Sequence, residues 1–263
     1  MKKTLLALAV VAASGAAFAQ TATLSGSYAF GYQSTTTALG ARTAGFGTDT
    51  AAIALVATED LGGGLKATAK VSLKNMMRDG AGAGEDASLT LAGGFGSITM
   101  GSVESDDGLS RAYAGAPVIG LDGKVHGPNA NIDVIGYTTP ALAPGLTAGV
   151  SYVDRGATGA TGLTAGTTGA TAAQPSITGN LTYGAGPISA RFDVTSWTRQ
   201  NAADVAGSVL KNRFRVSGNY NLGFAKVGLG YAQRTNVNST KVKDLVAGVS
   251  AGFGATTLGL VYE

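Results

Sequence analysis

The sequence predicts an all-β fold, a transmembrane antiparallel barrel. Three observations carry that expectation: a secretory leader, a period-two pattern that recurs along the rest of the chain, and connections that alternate between short and long. The leader comes first. Lys2 and Lys3 form a positive start, Leu5 to Val11 is an apolar run, and Ala17-Phe18-Ala19 supplies the small-x-small pattern that a signal peptidase reads. Residues 1–19 are therefore expected to be removed before Gln20, and residues 20–263 to form the barrel. The apolar run is too short for a helix to cross a bilayer, and no stretch after Gln20 is long and apolar enough to do so. The address is export through the periplasm to the outer membrane.

Composition narrows the class. Cysteine is absent, so neither disulfides nor thiolate metal sites are expected. Charged residues make up 13% of the chain, about half the share usual in soluble domains. Without Lys2 and Lys3 the 19 basic residues fall to 17 against 16 acidic ones, a net charge of +1. So small a surplus, with no clustered basic face, argues against nucleic acid as a partner.

The period-two pattern is clearest in Leu65 to Lys74. There Leu65, Ala67, Ala69, Val71 and Leu73 oppose Lys66, Thr68, Lys70, Ser72 and Lys74, as in a strand with two different faces. The same alternation marks Ile188–Trp197, Arg213–Tyr220 and Ala225–Arg234. Thirteen strands are expected. In order they are Thr21–Gln33, Thr48–Glu59, Leu65–Lys74, Glu85–Leu91, Ser97–Glu104, Asn131–Thr139 and Leu146–Asp154, then Ser176–Tyr183, Ile188–Thr198, Lys211–Tyr220, Ala225–Arg234, Lys241–Ala251 and Ala255–Tyr262. Each is near the length a tilted strand needs to span a membrane. The links Asp60–Gly64, Ala92–Gly96, Pro140–Gly145, Gly184–Pro187, Asn221–Phe224 and Gly252–Gly254 are short, and those between them are longer. Short turns on one side and longer loops on the other belong to outer-membrane barrels. Tyr28, Tyr137, Tyr152, Tyr183, Tyr220, Tyr231 and Tyr262, near strand ends, suit an interfacial girdle.

A family resemblance adds to this reading. Glu59-Asp60-Leu61-Gly62-Gly63-Gly64-Leu65-Lys66 resembles the first periplasmic turn of the general diffusion porins of β-proteobacteria. Gly93-Gly94-Phe95-Gly96-Ser97-Ile98-Thr99-Met100-Gly101 resembles the next turn and strand, and Tyr137-Thr138-Thr139-Pro140 the strand end after the third loop. The resemblance implies a 16-stranded barrel of the porin type that forms a trimeric diffusion pore with a third loop, here about 105–130, folded into the channel. Further copies of the chain, outer-membrane lipid and lipopolysaccharide, and small hydrophilic solutes and ions are the partners that follow.

Three departures stand out. The chain ends Val261-Tyr262-Glu263, where relatives close on an aromatic residue. An odd strand number is unusual, because the first and last strands would meet parallel. A longer natural chain, or a smaller barrel of 12–14 strands, would each account for it. The arginines that relatives carry on the second strand are replaced here by residues such as Ala52 and Val56.

The pore wall must therefore be read from this chain's own alternation. Lys66, Lys70, Lys74, Arg191, Arg213, Arg215, Lys226 and Arg234 are the expected inward basic residues, opposed by Asp86 and Asp193, with Asp133 a further candidate. The third loop brings Asp106, Asp107 and Asp122 as candidate constriction acids. An excess of positive charge in a water-filled tube favours anions.

Catalytic readings fail. Gly248-Val249-Ser250-Ala251-Gly252 matches a nucleophile pattern, but it lies within an alternating strand, and His126, the lone histidine, precedes it. One histidine without cysteine makes no metal site, and no cofactor motif is present. A non-conducting structural or adhesive barrel is the alternative to a channel, and a soluble secreted β protein is a third class. The leader gives the first testable expectation: N-terminal sequencing of detergent-extracted protein should begin at Gln20, and a retained Met1 would refute it.

Overall fold

The computed structural model describes residues 21–36, 40, 42–74, 82–104, 108–116, 131–154, 175–198 and 210–262. The leader region, the acids Asp106, Asp107 and Asp122, and His126 lie outside these residues. Thirteen strands form one antiparallel sheet in which each pairs with its sequence neighbours. They are β1 (Thr21–Thr36), β2 (Arg42–Gly62), β3 (Leu65–Lys74), β4 (Ala83–Gly93), β5 (Gly96–Glu104), β6 (Asn131–Thr138), β7 (Leu146–Asp154), β8 (Ser176–Ala185), β9 (Ile188–Trp197), β10 (Leu210–Asn221), β11 (Ala225–Asn236), β12 (Lys241–Phe253) and β13 (Thr256–Tyr262). Among the described residues no ladder joins β13 to β1.

The short turns all fall at one end of the sheet. The Gly62-Gly63-Gly64 run takes φ of 84°, 61° and 79°, a left-handed path that side-chain-bearing residues rarely follow. Asp60 Oδ1 accepts from the Gly62 amide at 2.9 Å and Asn221 Oδ1 from the Gly223 amide at 2.9 Å, so short polar side chains close the turns. At this end Tyr137, Tyr183 and Tyr220 stand exposed with Phe95, Phe224 and Phe253, and Tyr137 Oη donates to Phe95 O at 2.7 Å.

The opposite end extends further than the pattern predicts. β1 has 16 residues and β2 has 21, and their ladder runs out to Thr36 opposite Arg42. Most of the expected loop 34–47 is thus a hairpin. Its composition is rich in Gly, Ala and Thr and reads as a loop, yet it is held by ring contacts. Phe46 lies 6.2 Å from Phe30 in a stacked pair and 5.1 Å from Tyr32 edge-on.

Register decides what each face carries. Ala69 pairs with Ala57 and Leu89, while Val71 pairs with Leu55 and Ala87, and this apolar side is the exposed one. The other side bears hydroxyl ladders. Thr58–Thr68 (3.1 Å), Thr90–Thr99 (2.9 Å) and Thr178–Thr195 (2.9 Å) are directly opposed pairs joined Oγ1 to Oγ1. Asp133 corrects the expectation. It pairs with Ser102 and Asp154 on the same side as Ile135 and Tyr137, and it is exposed, so it is not an inward acid.

The register predicts an asymmetric response. Ala69→Arg should cost assembly about 2–4 kcal/mol near the bilayer midplane. Lys70→Ala, on the opposite face, should assemble nearly as well as the unaltered chain. Folding into lipid vesicles, followed by gel mobility without heating, reads both, and the reverse ranking would invert the register.

Candidate functional site

The polar face carries two charged patches. The first spans β3, β4 and the end of β5. Lys70 Nζ lies 2.6 Å from Asp86 Oδ2, and Lys74 Nζ lies 3.6 Å from both Glu85 Oε1 and Glu104 Oε1. A register shift between Val71 and Leu73 brings Glu85 alongside Ser72, whose Oγ donates to Glu85 Oε2 at 3.1 Å and accepts from the Asp86 amide at 3.0 Å. The Glu104 amide donates to Asp86 Oδ1 at 2.8 Å. Farther toward the turn, Lys66 stands opposite Asp60. This patch pairs its charges within itself.

The second patch spans β9 to β11. Asp193 is fully buried and Arg215 is 3% exposed; the Arg215 Nε lies 2.9 and 3.1 Å from the two Asp193 carboxylate oxygens. Arg191 Nε is 3.5 Å from Asp193 Oδ2. One row along, Thr195, Arg213 and Arg234 stand side by side across three strands. Arg213 lies over the Trp197 ring, 5.3 Å from its centre, a cation–π contact. Lys226 stands opposite Asn221 near the turn end. All eight basic residues expected from the alternation thus share the polar side, but Arg215 is covered where open water was expected. Its cover is Gly108, whose α-carbon leaves no room for a side chain against the guanidinium.

That cover comes from far away in the chain. Residues 108–116, between β5 and β6, lie against the polar face of β9–β12 and include a short 3-10 turn at Ser110–Tyr113. Three wall side chains hold the segment by its carbonyls. Ser217 Oγ donates to Gly108 O at 2.9 Å, Asn219 Nδ2 to Arg111 O at 3.1 Å, and Ser250 Oγ to Ala114 O at 2.6 Å. Arg111 Nε donates to Ser189 Oγ at 3.2 Å. Leu109, Ala112, Ala232 and Val246 close into a small buried cluster beneath it, with Tyr113 and Val261 packed alongside.

Sequence reading missed several of these groups. Asp60, Glu85, Glu104 and Asp244 add negative charge to this side, Asp244 standing opposite Ala232. The wall contacts of the 108–116 segment were also unforeseen. Their available signal was apolar Ala232 and Val246 at positions where the alternation calls for polar residues. Ser250, part of the nucleophile-like pattern, is a hydrogen-bond donor to a loop carbonyl.

Comparison with known proteins places these features. A family model described as Gram-negative porin matches residues 5–263. The chain is 30% identical to outer membrane porin protein 32 of Delftia acidovorans, across 97% of this chain and 77% of that protein. Its structure is similar to that of an anion-selective porin from Comamonas acidovorans, with a TM-score of 0.65 at 23% identity, covering 92% of this chain and 78% of that one. It is also similar to Salmonella typhi OmpF, with a TM-score of 0.69 at 14% identity, covering 91% and 78%.

The buried pair yields a prediction. Arg215→Ala strands the Asp193 carboxylate in a water-excluded site and should lower stability by about 3–5 kcal/mol. Replacing both residues together, Asp193→Leu with Arg215→Met, should cost much less than that. Urea unfolding in lipid vesicles gives the comparison; equal losses in the two variants would show that the pair is not dry.

Proposed function

The chain belongs to the Gram-negative porin family, and from that premise we propose that its channel passes anions in preference to cations. The protein is an outer-membrane porin, a water-filled β-barrel channel for passive diffusion of small hydrophilic solutes and ions, and not an enzyme. Selectivity depends on which sign of charge is in surplus on the wall.

On the β3–β5 side, Lys66, Lys70 and Lys74 meet Asp60, Glu85, Asp86 and Glu104, so that wall supplies no positive surplus. On the β9–β12 side, Arg191, Arg213, Arg215, Lys226 and Arg234 meet Asp193 and Asp244 among the described wall residues. The observation that carries the proposal is the excess of five basic residues over two acidic ones on this described wall, with Arg213 and Arg234 directly opposed across strands. Like charges directly opposed across strands repel, so the fields of Arg213 and Arg234 add in the wall row that they share with Thr195 and Val242. Such a row raises the local anion concentration in a narrow aqueous space. The Comamonas acidovorans porin is described as anion-selective and shares this fold, which fits the reading without carrying it.

Two further parts of the proposal follow the family. Residues 1–19 serve as the leader, and copies of the chain associate as a trimer among outer-membrane lipid and lipopolysaccharide. Asp106, Asp107 and Asp122, if turned toward the basic wall, set a transverse field across the channel.

Reversal potentials across a salt gradient test the preference. At about 0.1 M salt, where screening reaches only ~10 Å, the unaltered protein should favour chloride over potassium. Arg213→Ala with Arg234→Ala should move the potential toward potassium. The shift should shrink near 1 M salt, where the screening length falls to ~3 Å. A potassium preference in the unaltered protein would remove the proposal and leave a weakly selective pore.

A further inference from the structure

The wall beneath residues 108–116 is not generic strand surface. Its β11 and β12 positions facing the segment are Gly228, Gly230, Ala232, Val246 and Gly248. A side chain at any of the three glycines collides with the segment. A Cβ on Gly228 would come within 2.9 Å of Arg111 O and closer still to Ala112 O. One on Gly248 would sit 2.8 Å from Tyr113 Cα and closer to Ala112 O. One on Gly230 would sit 2.8 Å from Ala112 Cβ and 3.2 Å from Leu109 Cδ2. Ordinary contact for a Cβ begins near 3.4 Å, so each addition would push the segment off the wall by at least 0.6 Å (3.4 less 2.8).

None of these glycines has a backbone reason for being glycine, since none takes a positive φ. Glycine within a strand weakens it, through entropy and lost packing, unless something must approach closely. Here a backbone does approach, and the flanking wall residues are the ones that bond it: Asn219 opposite Gly228, Ser217 opposite Gly230, and Ser250 two positions beyond Gly248. Gly252 lies further along the same face of β12, beyond the segment, and a Cβ there meets nothing within 4 Å.

We propose that Gly228, Gly230 and Gly248 form a recessed seat in the channel wall for residues 108–116, and that the depth of this seat sets the bore of the channel. The three glycines are positioning residues for diffusion. They touch no solute, but they fix how far the segment stands from the wall. The side-chain donors Ser217, Asn219 and Ser250 fix its position along the wall, and the Leu109–Ala112–Ala232–Val246 cluster excludes water from beneath it.

The test is single-channel conductance in planar bilayers, with barrel assembly checked by unheated gel mobility. Gly228→Ala with Gly248→Ala should lift the segment toward the axis and lower conductance by an amount on the order of tens of per cent, because current through a narrow constriction follows its open area. Gly252→Ala, the same change on the same face, should leave conductance unaltered. Gly230→Ala should lower conductance as well, and adding Ala112→Gly, which removes the opposing Cβ, should restore it. The rescue keeps the test decisive if the double variant does not assemble. Unchanged conductance in an assembled Gly228→Ala, Gly248→Ala barrel would overturn the proposal. So would an equal loss in Gly252→Ala, or a Gly230→Ala loss that Ala112→Gly fails to repair.

Discussion

Inside a bilayer no water is available to satisfy the peptide groups, and that single constraint shapes this protein. Every amide and carbonyl within the apolar slab must find a partner on another strand. Between β1 and β13 the chain meets the requirement with a neighbour-to-neighbour ladder, each strand turning back on the last. Because backbone pairing supplies the cohesion, the outer face does not need large side chains. Ala57, Ala69 and Ala87 are adequate there, where a soluble core would leave voids. The abundance of glycine and alanine follows from the same cause.

The ladder fixes the period at two residues, and with it the chemistry of each face. Hydroxyl pairs such as Thr90–Thr99 and the opposed charges of Lys70 and Asp86 are consequences of register. So is the apolar exterior of Leu24, Leu55, Val71 and Leu89. A wall built this way is densely charged without being strongly charged. Proximity on adjacent strands lets acids and bases neutralise one another, and net field survives only where one sign outnumbers the other, as on the described β9–β12 wall. Arg215 shows the limit of counting charges by parity. It lies on the correct side, but its Nε is shared between both oxygens of a fully buried carboxylate, which makes it a structural cation.

Period two explains why so much was legible in the sequence. Strand number, strand order and facing depend on local alternation and on glycine turns, and a pattern such as Leu65–Lys74 shows both faces at once. Asp133 was equally legible in principle, since it shares its parity with Ile135 and Tyr137. The β1–β2 hairpin was not. Its Gly-rich composition has weak strand preference, and the Phe30–Phe46–Tyr32 stacking that sustains it couples residues across the turn. The family resemblance implied an inward third loop, but the wall that receives residues 108–116 was hidden, for a different reason. Alternation assigns a residue to a face, but it cannot say which distant segment will cover that face. Gly108 and Arg215, or Ala114 and Ser250, meet across more than a hundred residues.

Exceptions to the alternation therefore carry information that the rule itself lacks. A polar face interrupted by Ala232 and Val246 cannot be wetted there without cost, so something must lie over it. Glycines clustered at the same height on adjacent strands imply that the covering element arrives backbone-first, because side chains alone would not need so much clearance. Hydroxyl and amide donors beside those glycines imply that carbonyls face the wall, as those of Gly108, Arg111 and Ala114 do. These local signs suffice to find the face that receives an inward segment. To identify the segment, its hydrophobic contribution must match the gap, and Leu109 with Ala112 meets that condition in a stretch otherwise dominated by turn formers.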